Sequence, residues 1–204
     1  MSFLTSFLDL VVPPRTSERL VRGLTLDDLH TLALPVSGTL PYHDPRITAL
    51  VWEVKYRANK RALALAGEFL AEQVLGIAGE ELGKPLLVPV PMHTNRRKKR
   101  GHNQTELLCD CALRSLGEAG SGFDYMPQAL TRIKETAPQQ GLERGKRLKN
   151  VHGSMEAARP ELVKGRVCIA LDDVTTTGAT LEEARRALHK AGARRVHFVT
   201  LAQS

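Results

Sequence analysis

The stretch VCIALDDVTTTGATLEEARRALHKAGARRVHFVTLA, Val167 to Ala202, decides the fold. Its first five residues, Val167 to Leu171, are apolar without alternation, the pattern of a strand covered on both faces. Residues 178–191 then place Leu181, Ala184, Leu188 and Ala191 on one helical face, and Val196 to Ala202 returns as a strand. Strand, helix and strand within about 35 residues is a βαβ unit, which implies a parallel sheet. Ligands of open parallel sheets bind beyond the carboxyl ends of the strands, and the loop from Asp172 to Thr180 lies there.

That loop sets two adjacent carboxylates, Asp172 and Asp173, before Val174, Thr175, Thr176, Thr177, Gly178, Ala179 and Thr180. Adjacent anions repel, so the pair needs solvent or a ligand that rewards it. Gly178 permits close backbone approach, the threonines add hydroxyl donors, and the next helix turns its free N–H groups toward the loop. Together they suit a dianionic phosphate, and a ligand anchored there sets a sugar beside the carboxylates, which accept hydrogen bonds from vicinal hydroxyls. The residues therefore read as a ribose 5-phosphate site, with Asp172 and Asp173 on the 2- and 3-hydroxyls and Thr175 to Thr180 on the phosphate. A helix cap with an Asp turn is the plainer alternative, but a cap takes one such residue and this loop carries six. The chain has no GxxxxGK[ST], which excludes a Walker loop, and no GxGxxG follows a strand.

Outward from this unit, Leu86 to Val90 reads as a second buried strand, closed by Pro91 and opening into HTNRRKKRGHNQ. Asp44 caps a helix with Pro45 at its first position and a stripe of Ile47, Leu50, Val51 and Val54. A second helix begins at about Lys60, and Leu107 to about Leu116 is a third. QALTR is a short strand, whereas residues 133–147 have the polar, charged composition of a lid segment. Phe3, Leu4, Phe7, Leu8 and Val11 fit a short helix ending at Pro13-Pro14, followed by a poorly periodic stretch to about His30. The expected organisation is a helical and irregular appendage over residues 1–40 and one main domain over residues 41–204.

At 204 residues and 42% apolar composition, the chain suffices for one sizeable core. Aromatics are 4%, so that core is aliphatic and no evident series of rings awaits single-stranded bases. The net charge of +7 is concentrated: residues 92–105 carry five basic and no acidic side chains, and residues 131–150 carry six and two. Such confinement points to local polyanion sites. Three cysteines without zinc spacing argue against a disulfide framework and a structural zinc, and Cys109 and Cys111 project roughly 200° apart on a helix. The seven histidines form no metal-spaced cluster, and Trp52 falls off the apolar face of its helix, so neither receives a role. The N-terminus lacks a basic n-region, and no run reads as a bilayer span, so the expected location is cytoplasmic.

The apolar residues, paired acids and threonine/glycine loop resemble the PRPP signature of type I phosphoribosyltransferases. More of the chain is similar to the ComF/GntX-like competence family: VWEVKYRANKRALALAGEFL its lysine-tyrosine helix pair, VPVPMHTNRRKKRGHNQTELL its VPVP…RGFNQ…LL segment, and LTRIKETAPQQGLERGKRLKNVHGSM its R…T..Q..L….R..N…F segment. With the 171–202 stretch, the resemblance covers about residues 46 to 202. It implies a type I phosphoribosyltransferase-like parallel sheet flanked by helices, binding PRPP with Mg²⁺, the metal reached by Asp172 and Asp173 indirectly through PRPP. Arg100, Gly101, Asn103 and Gln104, in the RGxNQ core, are implied on the pyrophosphate, with Arg96 to Lys99 adding positive charge as it departs. Arg147 and Asn150 match family positions at the pyrophosphate or the hinge of a lid. Asp172, Asp173 and Arg100 are the implied catalytic residues. The sequence departs from the family at His102, at Met155, and around Pro13 to Leu32, where a four-cysteine zinc ribbon is usual and no cysteine occurs, so no zinc is expected. Three readings stay open: a phosphoribosyltransferase of unassigned acceptor, a DNA-uptake accessory protein that binds single-stranded DNA and other uptake proteins, and a PRPP sensor without turnover. Oligomeric state is not read from the sequence.

Overall fold

A computed structural model describes residues 15–135 and 151–204. The sheet is parallel throughout. Its order is β1 (Leu40–Pro41), β7 (Arg195–Gln203), β6 (Val167–Thr175), β2 (Leu86–Pro89) and β3 (Asp124–Tyr125). The β6–β7 register runs from Val167 opposite Arg195 to Thr175 opposite Gln203, and β2 joins the other side of β6 from Leu86–Cys168 to Pro89–Leu171. Because β6 is central, both of its faces are covered, which is why its sequence does not alternate.

Period-two geometry splits the core. Ile169 and Leu171 face an apolar layer built by α1 (Thr16–Gly23), α2 (Leu26–Leu32), α3 (Pro45–Trp52), α4 (Lys60–Gly79) and α6 (Gln104–Leu116). Cys168 and Ala170 face a second layer, where α8 (Ala179–Lys190) packs with the antiparallel pair β4 (Leu130–Arg132) and β5 (Met155–Ala157). Two short helices, α5 (Thr94–Arg100) and α7 (Pro160–Val163), complete the described elements with a π turn at Glu53–Arg57 and a 3-10 turn at Gly117–Gly122.

Asp44 caps α3 as expected, its Oδ1 accepting from Arg46 N at 2.8 Å with Pro45 in the first turn. The poorly periodic stretch before His30 proves to be α1 and α2. Their junction is a capping box in which Thr25 and Asp28 satisfy each other's backbone N–H groups, and Val21, Leu24 and Leu29 enter the same apolar layer as α3 and α4. These helices are too short for periodicity to announce them. Helix α4, 20 residues, is long and apolar enough to cross a membrane by length and composition, a span not expected from the sequence. Ala62, Ala66, Phe69, Leu70 and Val74 are buried in this core. It lies so close to α6 that a Cβ on Gly67 would come within 2.4 Å of Cys111 Cβ. The expected helix over Phe3 to Val11 and most of the expected lid lie outside the described residues.

Candidate functional site

Strand β6 continues four residues beyond its apolar run, so Asp172 and Asp173 sit on the strand and not in a loop. Neighbours on a strand point to opposite faces, which separates the two charges. Both are buried, at 7% and 4% exposure, where an unpaired carboxylate is costly. Each meets different company. Asp173 lies 3.6 Å from the Lys55 ammonium and accepts from Gln104 Nε2 at 3.3 Å, on the α3–α6 side. Asp172 is felt by Arg132 from β4, on the α8 side, and its Oδ1 accepts from Asp173 N at 2.9 Å.

Electrostatics follow the same division. Burial, then the neighbouring Asp173 charge, raises Asp172 well above the ordinary carboxylate range. Asp173 raises the Lys55 ammonium above its usual value, against the opposing effect of burial. Burial pulls the Arg132 guanidinium down, partly offset by Asp172, and its Nε and Nη2 are enclosed without a hydrogen-bond partner among the described residues. A guanidinium in that condition is set to receive an anion.

Past the carboxylates, Val174 packs against the core while its N–H donates to Asp173 Oδ1 at 3.0 Å. Thr175 ends the strand, Thr176 is exposed, and Gly178 adopts φ +77°, where a side chain would be strained, before α8 begins at Ala179, a residue earlier than Thr180. Gly178 supplies no side chain to cap α8, and Thr177 Oγ1 is enclosed with no partner among the described residues. A phosphate fits this arrangement: hydroxyls, a twelve-residue helix whose first N–H groups face the turn, and a glycine at the cap position with no side chain to compete.

The RGHNQ segment divides by role. Gln104 reaches Asp173, and its Oε1 accepts from Arg100 Nη1 at 2.8 Å, which places Arg100 one side chain from the carboxylate. Gly101, at φ +85°, ends α5. Asn103 caps α6, accepting from Thr105 N, and Thr105 Oγ1 ties that helix start to Val90 O at 2.7 Å, so these residues hold the end of β2. On α5, Arg97 is engaged by Glu106 at 2.6 and 2.8 Å, while Lys98 and Lys99 are exposed. Arg147 and Asn150 lie outside the described residues.

Sequence reasoning missed Lys55 and Arg132. Lys55 and Tyr56 lie in the π turn, where the widened backbone departs from the 3.6-residue period used to sort helix faces. The lysine-tyrosine pair was visible as a pattern, but nothing in spacing assigned it to Asp173.

The family described as phosphoribosyl transferase domain matches residues 122–204, the part holding β6, the threonine turn and α8. The DNA utilization protein YhgH of Salmonella typhi is 31% identical over 165 residues, spanning 79% of this chain and 69% of that protein. Competence protein F of Haemophilus influenzae is 33% identical over 121 residues, 58% of this chain and 50% of that protein. Among solved structures, a glutamine PRPP amidotransferase from B. subtilis shows 15% identity and a TM-score of 0.43 over 74% of this chain and 30% of its own. With its parallel sheet, its carboxylate pair at the end of β6 and these relatives, the chain belongs to the ComF-like, phosphoribosyltransferase-type family.

Proposed function

We propose that this protein binds PRPP with Mg²⁺ and displaces pyrophosphate from C1 of the ribose. The observation that carries the reading is the buried Asp172–Asp173 pair, each side facing a cation, directly before a threonine turn and an uncapped helix start. In this reading Thr175 to Thr180 and the first N–H groups of α8 hold the 5-phosphate, and the carboxylates hold the ribose hydroxyls. Arg100 and the enclosed guanidinium of Arg132 face the diphosphate end. Asp172 and Asp173 would reach Mg²⁺ only indirectly, through PRPP, and the metal when bound would supply positive charge to the pyrophosphate oxygens. An acceptor's lone pair forms the new bond to C1 as the C1–O bond breaks and its electron pair leaves with pyrophosphate; the protein's cations stabilise that developing charge.

Calorimetric titration of PRPP with Mg²⁺ into the wild type and into the Asp172→Asn/Asp173→Asn variant tests this. Saturable binding lost in the variant supports it; no binding to the folded wild type overturns it. Pyrophosphate release across a set of nitrogenous acceptors separates an enzyme from a sensor.

A second reading, binding of single-stranded DNA, is favoured by Lys98 and Lys99, exposed on α5 and without an ion pair among the described residues. The relatives' names, DNA utilization and competence, agree with it. Its signature is a steep fall of affinity with salt.

A further inference from the structure

Beside the carboxylates stands a feature that neither fold nor phosphate chemistry requires. Trp52 ends α3 and Tyr56 follows within the π turn; both rings are exposed, at 38% and 49%, and their centroids lie 5.2 Å apart at an interplanar angle of 48°. The Arg57 guanidinium sits 5.2 Å over Trp52, and that of Arg100 sits 5.0 Å over Tyr56. The result is a row of Arg57, Trp52, Tyr56 and Arg100, cation and ring at each end. Single exposed apolar residues need no explanation. This row differs because it is continuous with the site: Arg100 donates to Gln104, Gln104 donates to Asp173, and Lys55, between the two aromatics in sequence, lies 3.6 Å from the same carboxylate.

We propose that Trp52 and Tyr56, flanked by Arg57 and Arg100, form a stacking platform for an unpaired nucleobase beside the carboxylate site. Stacking uses solvent-accessible ring surface, which both residues keep in part, and it tolerates any base because every base has a π face. Guanidinium groups add planar contacts with a base and charge for a nearby phosphate, so one row meets both parts of a nucleotide. Trp52 keeps 38% and Tyr56 49% of its surface exposed, and that part remains available to a ligand. The base belongs either to a free purine or pyrimidine, as an acceptor would, or to a single strand of DNA. Only the platform's place beside a ribose site rests on the PRPP reading.

Trp52 is the chain's single tryptophan, so its fluorescence reports directly on this surface. The full chain is titrated with oligothymidylate and, separately, with adenine and with thymine, in the presence and absence of PRPP with Mg²⁺. Stacking predicts saturable quenching by at least one probe. It also predicts roughly 5- to 150-fold weaker binding of that probe to Tyr56→Ala, read by Trp52, and to Trp52→Ala, read by anisotropy or calorimetry. Trp52→Phe retains most of the affinity. Quenching by the strand alone assigns the base to nucleic acid, and quenching by a free base assigns it to an acceptor. PRPP affinity of Trp52→Ala stays within about twofold of wild type, because Trp52 touches no carboxylate or phosphate group. Absence of quenching by every probe, or unchanged probe affinity in both alanine variants, overturns the platform. PRPP binding without quenching leaves the PRPP reading intact and removes the platform. Quenching without PRPP binding does the reverse.

Discussion

At the scale of single residues, Asp172 and Asp173 are neighbours in sequence with opposite effects on the unliganded protein. Asp172 is buried beside a second carboxylate, and its affinity for a proton is raised above the ordinary value. Between that ordinary range and its raised value, the native state holds more protons than the unfolded chain, so stability falls as pH rises through the window. Asp172→Asn removes the charge but keeps an amide oxygen to accept from Asp173 N. It should stabilise the free protein at neutral pH by roughly 1 to 3 kcal/mol and flatten this part of the pH profile in thermal melts. An unchanged slope would remove Asp172 as its source. Asp173→Asn should do the contrary, costing roughly 1 to 3 kcal/mol because the Lys55 ammonium, 31% exposed, loses its partner. Both variants should lose PRPP, so melting temperature and ligand affinity part company in Asp172→Asn alone. A stability held in reserve against ligand binding is the expected mark of a site residue.

At the scale of elements, the π turn decides what reaches the site. Glu53 is buried within it, at 3% exposure, and accepts from Ser17 Oγ at 2.7 Å and Asn59 Nδ2 at 3.1 Å; Asn59 also caps α4 through Arg61 N and Ala62 N. Thus one carboxylate binds α1, the turn and the start of α4. Glu53→Ala leaves both donors unmatched and should cost about 2 to 3 kcal/mol in denaturant melts. Because Lys55 rides on this turn, PRPP affinity should fall too, although Glu53 touches no site residue; a variant that melts early but binds normally would detach the turn from the site. Where α4 crosses α6, Gly67→Ala should cost about 1 to 3 kcal/mol, since the added methyl meets Cys111 Cβ and backbone, not a movable side-chain end. Retention of the wild-type melting temperature would mean that the helices separate freely. Elements differ in how well the sequence announces them. β6, α8 and β7 were legible because apolar runs and a helical stripe alternate there, and α3 because Asp44-Pro45 is a cap. α1 and α2 were not, since seven or eight residues give two turns at most and their evidence is a Thr25–Asp28 box. The carboxylate pair was legible as chemistry, but its cations were not: Lys55 and Arg132 come from elements distant in sequence, and only the fold brings the π turn to one carboxylate and β4 to the other.

At the scale of the whole molecule, composition gives a net charge of +7 but not which cations are available to a polyanion. At the amino edge of the sheet, away from the carboxylates, much of the positive charge is engaged. Glu81 takes Arg195 at 2.7 Å and Arg194 at 3.6 Å, with the His197 ring also in hydrogen-bond contact at 2.7 Å, and Asp124 takes Arg166 at 2.7 Å and Lys84 at 3.1 Å. At the carboxyl edge, Arg97 is spent on Glu106, whereas Lys98 and Lys99 stand exposed on α5 without an ion pair among the described residues. A strand of DNA that releases counterions should therefore meet Lys98 and Lys99 before Arg97 or the amino-edge arginines. Replacing Lys98 and Lys99 together by glutamine should lower the slope of log affinity against log salt by up to roughly 1.4 for single-stranded DNA, about 0.7 per phosphate contact. Arg194→Gln with Arg195→Gln, equal in net charge, should leave the slope unchanged within error. Equal losses in the two double variants would mean that the strand responds to net charge and not to the carboxyl edge. Loss only in the Arg194 and Arg195 variant would move the contact to the opposite edge of the sheet, away from Asp172, Asp173 and the Trp52 ring.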